Sequence, residues 1–570
     1  VRRRALALVL VLAGLWCLWT ATRRPLAVEG TAAPDRYTRV AGVVHVHTTL
    51  SDGGGSVDDV VRAAKAAGLA FVAITEHNNV DVKPFEGYRD GVLVIAGTEL
   101  STTEGHVLGL GTSDPPFRFS GDAADGLADL RDLGGAAFAA HPTSARADFR
   151  WTGWDLAGPW GIEVLNADSQ WRAAGPARLA LAAIRYPLNP PYALARSWTA
   201  DAEALERWDR MLATRDVPAI VGADAHQRAA LGRRLTLPVP SYESLFRVAR
   251  NHVLLDAPLT GESAADARAI VGALARGRSY AAVDAIAPAG LVSFGAEGGG
   301  ARATMGETIA PRPGLRVALG GMVPRGARLV IVRNGQVHAE ATTAPLTAAA
   351  DAPGVYRGEI HVAGWGVPWV LTNAIVVADE PAAARRRASA TWPAEPPAPA
   401  AAEVLDAFDA GTGFAVNCDT ASPLKSPSID PTGGVGGSPA ALLHFRLAEP
   451  TKDHPDVFCA LVNARERDLS GRSGLAFSIR GDGAYRVWVQ VRDANPASAE
   501  EGIEWWFGSV RTAPEWRRVA IPFARLRSVD PKTDGRLDLD KVRALVFVVD
   551  KGSLKPGAEA RIWIDDVGAY

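Results

Sequence analysis

Three cysteines in 570 residues are too few for a disulfide scaffold, and too few for a cysteine-rich zinc site. An excess of charge of one sign is also missing. The 61 Lys and Arg against 63 Asp and Glu leave a formal net charge of −2, and no basic stripe is visible, so no nucleic-acid partner is expected. Long apolar runs are absent except at the start, where Arg2, Arg3 and Arg4 precede seventeen uncharged residues, 5–21. As a helix this run is about 26 Å long, at the short end of a bilayer crossing. Trp16 and Trp19 suit the far interface, and no small-residue cleavage site is well placed. Residues 1–24 therefore read as a signal anchor, with the rest of the chain exported to a periplasm or cell exterior and held at the inner membrane. The alternative is secretion after cleavage. With 48% hydrophobic residues the chain can fill several cores, and three folded units are expected.

Histidine is where the sequence becomes specific. All six histidines in the first 250 residues lie at or beside the ends of apolar strands, where barrels and open α/β sheets place their chemistry. Residues 43–46 form one such strand, and its alternation puts His45 and His47 on one face. Asp52 follows after a turn, and Gly53, Gly54 and Gly55 let the backbone bend beside it. The strand at 69–75 runs into Glu76 and His77, and the one at 92–96 ends near Glu99. His106 opens the next strand, residues 136–140 lead into His141, and residues 217–222 lead into Asp224 and His226. The other five, His252, His338, His361, His444 and His454, are scattered and read as structural or surface residues.

The strings HVHTTLSDG, ITEHN, GTELS, AHP and GADAH, in that order and spacing, resemble the motifs of the polymerase and histidinol phosphatase (PHP) superfamily of metallohydrolases. The resemblance covers residues 39–258. It implies an α/β unit, a distorted (β/α)7 barrel at 38–282, with two or three divalent ions (Mn, Zn or Fe). Carried over by motif, His45, His47, Glu99 and Asp224 hold the first ion. Glu99 bridges to a second, held by His106 and His141, and Asp52, His77 and His226 hold a third. TEH stands where TDH is commoner, and His106 lies close after Glu99. The implied reaction is hydrolysis, of a phosphoester first of all, by a metal-bound hydroxide. Arg146 and Arg196 are candidate clamps for the substrate's charge. The competing reactions are hydrolysis of a carboxylic ester, amide or carbamate. A competing class is an envelope carbohydrate-binding protein with a degenerate barrel, which the complete ligand set argues against.

Elsewhere the patterns are plainer. Ser56 with Asp59 forms a capping box for a helix over 57–67, ended by Gly68. Short strands between Gly and Pro turns indicate a β-sandwich at 283–379, similar to the β-domain of the carbaryl-hydrolase-like branch of PHP proteins. Residues 380–402 read as a Pro/Ala-rich linker. Residues 403–570 are all-β and resemble galactose-binding-like jelly rolls of the family 11 carbohydrate-binding kind. Carbohydrate is a possible partner there, through Trp505 or Trp506, one of which must face the core. The substrate is expected to be a small molecule or an envelope polymer carrying an ester. Cys418 and Cys459 are expected to pair in an oxidising space.

Overall fold

Seven apolar segments of the first half form the strands β1 (Thr38–Val46), β2 (Phe71–His77), β3 (Val92–Thr102), β4 (Gly105–Leu110), β5 (Ala136–Ala139), β6 (Trp160–Asn166) and β7 (Ala219–Ala225). Each pairs with the next, and β7 pairs back with β1, so the sheet closes into a barrel. The structure is a computed structural model describing residues 2–31, 36–231, 235–392, 397–422, 428–452, 454–498, 502–554 and 556–570, with the backbone alone for 2–9, 230, 231 and 235. It divides into two units, Val1–Asp114 with Ser120–Pro393, and Pro115–Phe119 with Ala394–Tyr570.

The barrel departs from an even (β/α)7 repeat. Strand β4 is antiparallel to both neighbours, because residues 103–104 turn too tightly for a crossover. Among the described residues, the β2–β3 connection holds a 3₁₀ turn (Lys83–Phe85) and a short strand (Gly87–Arg89), and the β5–β6 connection holds a 3₁₀ turn (Ala147–Phe149). α-Helices follow β1 (Val57–Ala66) and β4 (Ala123–Asp132), and four lie between β6 and β7. The first has the expected capping box, with Ser56 and Asp59 bonding reciprocally.

Alternation explains where the site sits. Phe71 and Ala73, Leu93 and Ile95, Leu108 and Leu110, Phe138 and Ile220 share one core cluster with Ile270, Val271 and Leu274 of the helix Ser263–Ala275. Four residues beyond Ala73, Ile95 and Ile220 come His77, Glu99 and Asp224. Because β4 runs backwards, its matching residue, His106, stands at the strand's beginning.

The β-rich region after the barrel continues its sheet. The strand Arg250–Leu255 pairs with β1, Ser279–Ala282 pairs with that strand, and Val370–Thr372 pairs with Ser279–Ala282. The strands Val292–Gly298, Ala301–Thr304, Arg316–Gly321 and Leu346–Ala349 form a separate four-stranded sheet. Asn373 stitches the two parts. Its Oδ1 accepts from the Ala219 amide at 2.7 Å, and its Nδ2 donates to the carbonyls of Ala219 and Ser279, both at 2.9 Å. Buried Arg357 also bonds Asp209 of the helix Ala202–Leu212 twice, at 2.7 Å each.

One expectation changes. The segment 380–402 is not a spacer throughout, since Glu380–Ser389 is a helix capped by Asp379, with Pro381 in the first turn where proline is tolerated. Its buried Arg386 donates to the carbonyls of Leu212 and Arg215 and to Asp216, satisfying the end of the helix Ala202–Leu212. Trp392 then packs against Gly158. Residues 393–396 of that segment lie outside the described part. At the N-terminus, Arg2–Ala21 is helical as expected. Among the described residues, however, no helix is long and apolar enough to cross a membrane. The helix ends docked on the first unit, where Asn189 Nδ2 donates to the carbonyls of Thr20 and Arg23 at 3.2 and 2.9 Å.

The second unit is a sandwich of two six-stranded sheets. Its core joins Phe445, Phe477, Ile479, Ile562 and Ile564 of one sheet to Leu461, Val487, Val489, Trp506 and Phe547 of the other. Cys418 and Cys459 form a disulfide between neighbouring antiparallel strands, with Cα atoms 4.0 Å apart.

Candidate metal centre

Glu99 is the hub. Its Oε2 lies 3.2 Å from His45 Nε2, 3.1 Å from His47 Nε2 and 3.3 Å from His77 Nδ1. Its Oε1 lies 2.8 Å from both His106 Nδ1 and His141 Nε2. Asp224 Oδ1 faces His45, His47 and His226 at 3.4, 3.8 and 3.4 Å. Asp52 Oδ1 faces His226 at 3.2 Å, His77 at 3.6 Å and His47 at 3.9 Å. All nine residues singled out as metal ligands in the sequence therefore meet in one cluster. Four overlapping groups of them could each hold an ion: His47–Asp52–His77–His226, His45–His47–Asp224, His45–Glu99–His141 and His77–Glu99–His106.

The local backbone is built for this convergence. His45 sits where the pairing of β1 with β7 slips by a residue, a bulge that re-aims the side chain. His45, His141 and Asp224 have φ of 65°, 29° and 44°, left-handed values that non-glycine residues seldom take and that collect at functional sites. Burial is graded across the cluster. His45, His47 and Glu99 are fully enclosed, whereas His77, Asp52 and His226 are partly exposed and form the mouth.

The donor set fits divalent cations. His45 Nε2, both ring nitrogens of His47 and His77 Nδ1 are buried without a hydrogen-bond partner, an arrangement that costs about 1–3 kcal/mol per group unless something else binds it. Imidazole and carboxylate together suit Mn, Fe or Zn. Burial pulls the pKa of His47 down to about 4, so its ring is neutral at pH 7 and one of its nitrogens carries a free lone pair. Burial opposes the ionisation of Glu99, but the charge of His45 and hydrogen bonds from His106 and His141 hold its carboxyl well below the usual range. Burial also opposes the charge on His226, yet the bond to Asp52 and the field of Asp224 raise it to about 9.

These shifts give a signed expectation. A histidine raised from 6.5 to about 9 stabilises the metal-free fold fully below pH 6.5, and that contribution fades as pH rises through about 9. A metal ion competes for the same nitrogen, so its apparent affinity should rise with pH over that window, by about tenfold per unit for each proton displaced. Calorimetric Mn2+ titrations at several pH values check this; an affinity independent of pH would count against it.

Of the two arginines proposed as clamps, one lies beside the cluster. Arg146 stacks 3.6 Å over Phe149, whose ring packs on His106 and His141 with centroids 4.6 and 5.6 Å away. Arg196 is turned elsewhere, donating to the Gly364 carbonyl and stacking on Trp365 at 5.1 Å. Its loop packs against the β-rich region, a tertiary choice that the spacing of the motifs does not contain. Two further cations stand near the mouth. Arg228 donates to the Asp52 carbonyl at 3.2 Å. Arg172 bonds Asp168 and feels Asp224; burial works against its charge, but these two carboxylates raise its pKa.

Two acidic residues escaped the sequence reading as parts of the site. Glu76, of the TEH string, accepts from the Thr48 amide at 3.0 Å, the Thr48 hydroxyl at 2.6 Å and the Ser51 hydroxyl, and so ties down the loop that carries Asp52. Glu163 of β6 lies fully buried against His45 and His141. An acid inside the apolar string WGIEVLN was the available signal.

Residues 44–120 match the model of the PHP domain. The chain is also 34% identical over 117 residues to an uncharacterised protein of Methanocaldococcus jannaschii, covering 18% of this chain and 67% of that one. The chain belongs to the PHP-domain family. The PHP match and the donor set support a metal-dependent hydrolase. Among solved structures, a two-domain Bacteroides vulgatus protein containing a predicted PHP-like metal-dependent phosphoesterase is similar at 16% identity and a TM-score of 0.31, over 63% of this chain and 100% of that one. A family 11 carbohydrate-binding module of Clostridium thermocellum is similar at 18% identity and a TM-score of 0.24, over 29% of this chain and 94% of the module. Neither likeness assigns an activity to this PHP protein. In the second unit Trp506 does face the core, and Trp505 points the other way with Arg492 lying 3.8 Å over its ring.

Proposed function

We propose that the PHP unit is a phosphoesterase working with two or three divalent ions held by His45, His47, Asp52, His77, Glu99, His106, His141, Asp224 and His226. The observation that carries this reading is the set of buried imidazole nitrogens without partners around one shared carboxylate. Ions bound at such a centre supply an activated water and a positive charge beside the bond being cut. The chain's own residues do the rest. Glu99 holds five imidazoles in register, Glu76 fixes the loop of Asp52, and Phe149 closes the side above His106 and His141. The half-exposed edge at Asp52, His77 and His226 is the route for substrate and water. Arg146, Arg172 and Arg228 around the centre favour an anionic substrate over a neutral ester. The Cys418–Cys459 bond supports work in an oxidising space outside the cytoplasm.

A hydrolysis screen of the metal-loaded protein tests this directly, with aryl phosphodiester, aryl phosphomonoester, aryl acetate and aryl carbamate substrates. Turnover of a phosphoester, lost with a chelator and restored by Mn2+ or Zn2+, is expected. Metal-dependent turnover of the acetate or carbamate alone would overturn the substrate class.

A further inference from the structure

Among the described residues Glu163 makes three hydrogen bonds, two of them to residues of the cluster. Its Oε1 lies 2.8 Å from His45 Nδ1, and its Oε2 accepts from the His141 amide at 2.7 Å and from Asn166 Nδ2 at 2.9 Å. A carboxylate only accepts, so the hydrogen in the first contact belongs to His45 Nδ1. The other ring nitrogen, Nε2, is then the one left for the cluster, facing Glu99 and Asp224 at 3.2 and 3.4 Å. The second oxygen holds His141 by its backbone at a residue with a left-handed φ of 29°, where a small shift would swing the ring. His45 and His141 lie far apart in sequence and belong to different strand ends, so this one side chain couples them.

The neighbouring backbone is shaped to admit that carboxylate. A Cβ on Gly222 would come 1.7 Å from Glu163 Oε1, closer than atoms can approach. Gly222, the glycine of the GADAH string, is therefore where β7 makes room for a side chain of β6.

We infer that Glu163 is a positioning residue of this centre, holding His45 with Nε2 presented to the ions and locking the backbone of His141, with Gly222 as the space it needs. This rests on reading the cluster as a metal centre. A hydrogen-bonded carboxylate behind a ligating imidazole fixes its tautomer and orientation, and its loss typically weakens binding by about 10–100-fold. Glutamine is the telling replacement. Three donors converge on Glu163, and an amide offers one oxygen, so one or more of them loses its acceptor.

The test compares the full chain with its Glu163→Gln and Gly222→Ala variants. The Mn2+ affinity comes from calorimetry, the His45 tautomer from nitrogen NMR of the metal-free protein at a pH high enough for its ring to be neutral, and the fold from circular dichroism. Both variants should bind Mn2+ about 10–100-fold more weakly while staying folded, and His45 should leave the Nδ1–H form in Glu163→Gln. A merely structural carboxylate would lower the melting temperature without moving the affinity or the tautomer. A folded Glu163→Gln protein with wild-type affinity overturns the inference. If that variant does not fold, Gly222→Ala decides it by the same readings, since it displaces the carboxylate without changing a charge. If the wild type binds no Mn2+, the metal-centre reading fails; the inference then stands or falls on the tautomer, and His45 in the Nε2–H form overturns it.

Discussion

Replacing Glu99 by Gln is expected to lower turnover by roughly a thousandfold or more, and to remove one or more bound ions per chain. Five of the six clustered histidines point at this carboxylate. Oε2 takes His45, His47 and His77 within 3.3 Å, and Oε1 takes His106 and His141 at 2.8 Å. An amide keeps one oxygen and places an NH2 group against two or three imidazole nitrogens that should be free to ligate. Glu99 itself is enclosed at the inner end of the site and the amide NH2 occupies the lost oxygen's place, so no water can stand in for it. Substitutions at Asp52, His77 or His226 should be milder, because those residues stand at the exposed edge where water can replace a ligand. Metal content and phosphoester turnover of the purified variant decide the matter. Normal turnover with a full metal load would refute the bridging role.

The second large effect concerns where the catalytic unit ends. A chain stopping at residue 282 is expected to give no soluble, cooperatively melting protein, whereas one stopping at Trp392 should fold and retain turnover of a small substrate. The shorter chain loses Asn373, which satisfies the Ala219 amide and carbonyl on β7, five residues before Asp224. It also strips Ser279–Ala282 of one of its two partner strands and leaves Asp209 without Arg357. Each buried group left unpaired costs about 1–3 kcal/mol, and several together exceed the stability of an ordinary domain. A chain stopping at Asp379 should be intermediate, because it lacks the Arg386 clamp on Leu212, Arg215 and Asp216. Loss of small-substrate turnover in a folded chain ending at Trp392 would place part of the active site in residues 393–570.

How much of this was legible in the sequence follows from what each feature depends on. The nine cluster residues were legible because each lies at or near a strand end or, like Asp52, in the turn that follows one, and these places are written locally in apolar alternation and turn residues. His106 lies close after Glu99 because β4 is antiparallel to β3. The two residues between β3 and β4 can make a hairpin and cannot make a crossover, so the reversed strand was there to be read. Glu163 stayed hidden because its partners are 118 and 22 residues away, and nothing local marks an acid as inward-facing except its apolar neighbours. The segment from 380 was misread on composition. Alanine is the best helix former, Asp379 is a good N-cap and Pro381 falls in the first turn, so the local signals for a helix were present. The burial of Arg386 and the turn of Arg196 towards Gly364 are tertiary, and no local pattern encodes either.

The idea that nine residues from six of the barrel strands and their turns form one polynuclear metal centre is tested most directly by counting ions. The full chain, stripped with a chelator and checked for folding, is titrated with Mn2+ in a calorimeter, and the complex is passed over a desalting column for elemental analysis. About two or three ions per chain should be bound, with at least one lost in Glu99→Gln. A folded wild-type protein that retains no ion, or the same number with and without the Glu99 carboxylate, would contradict it.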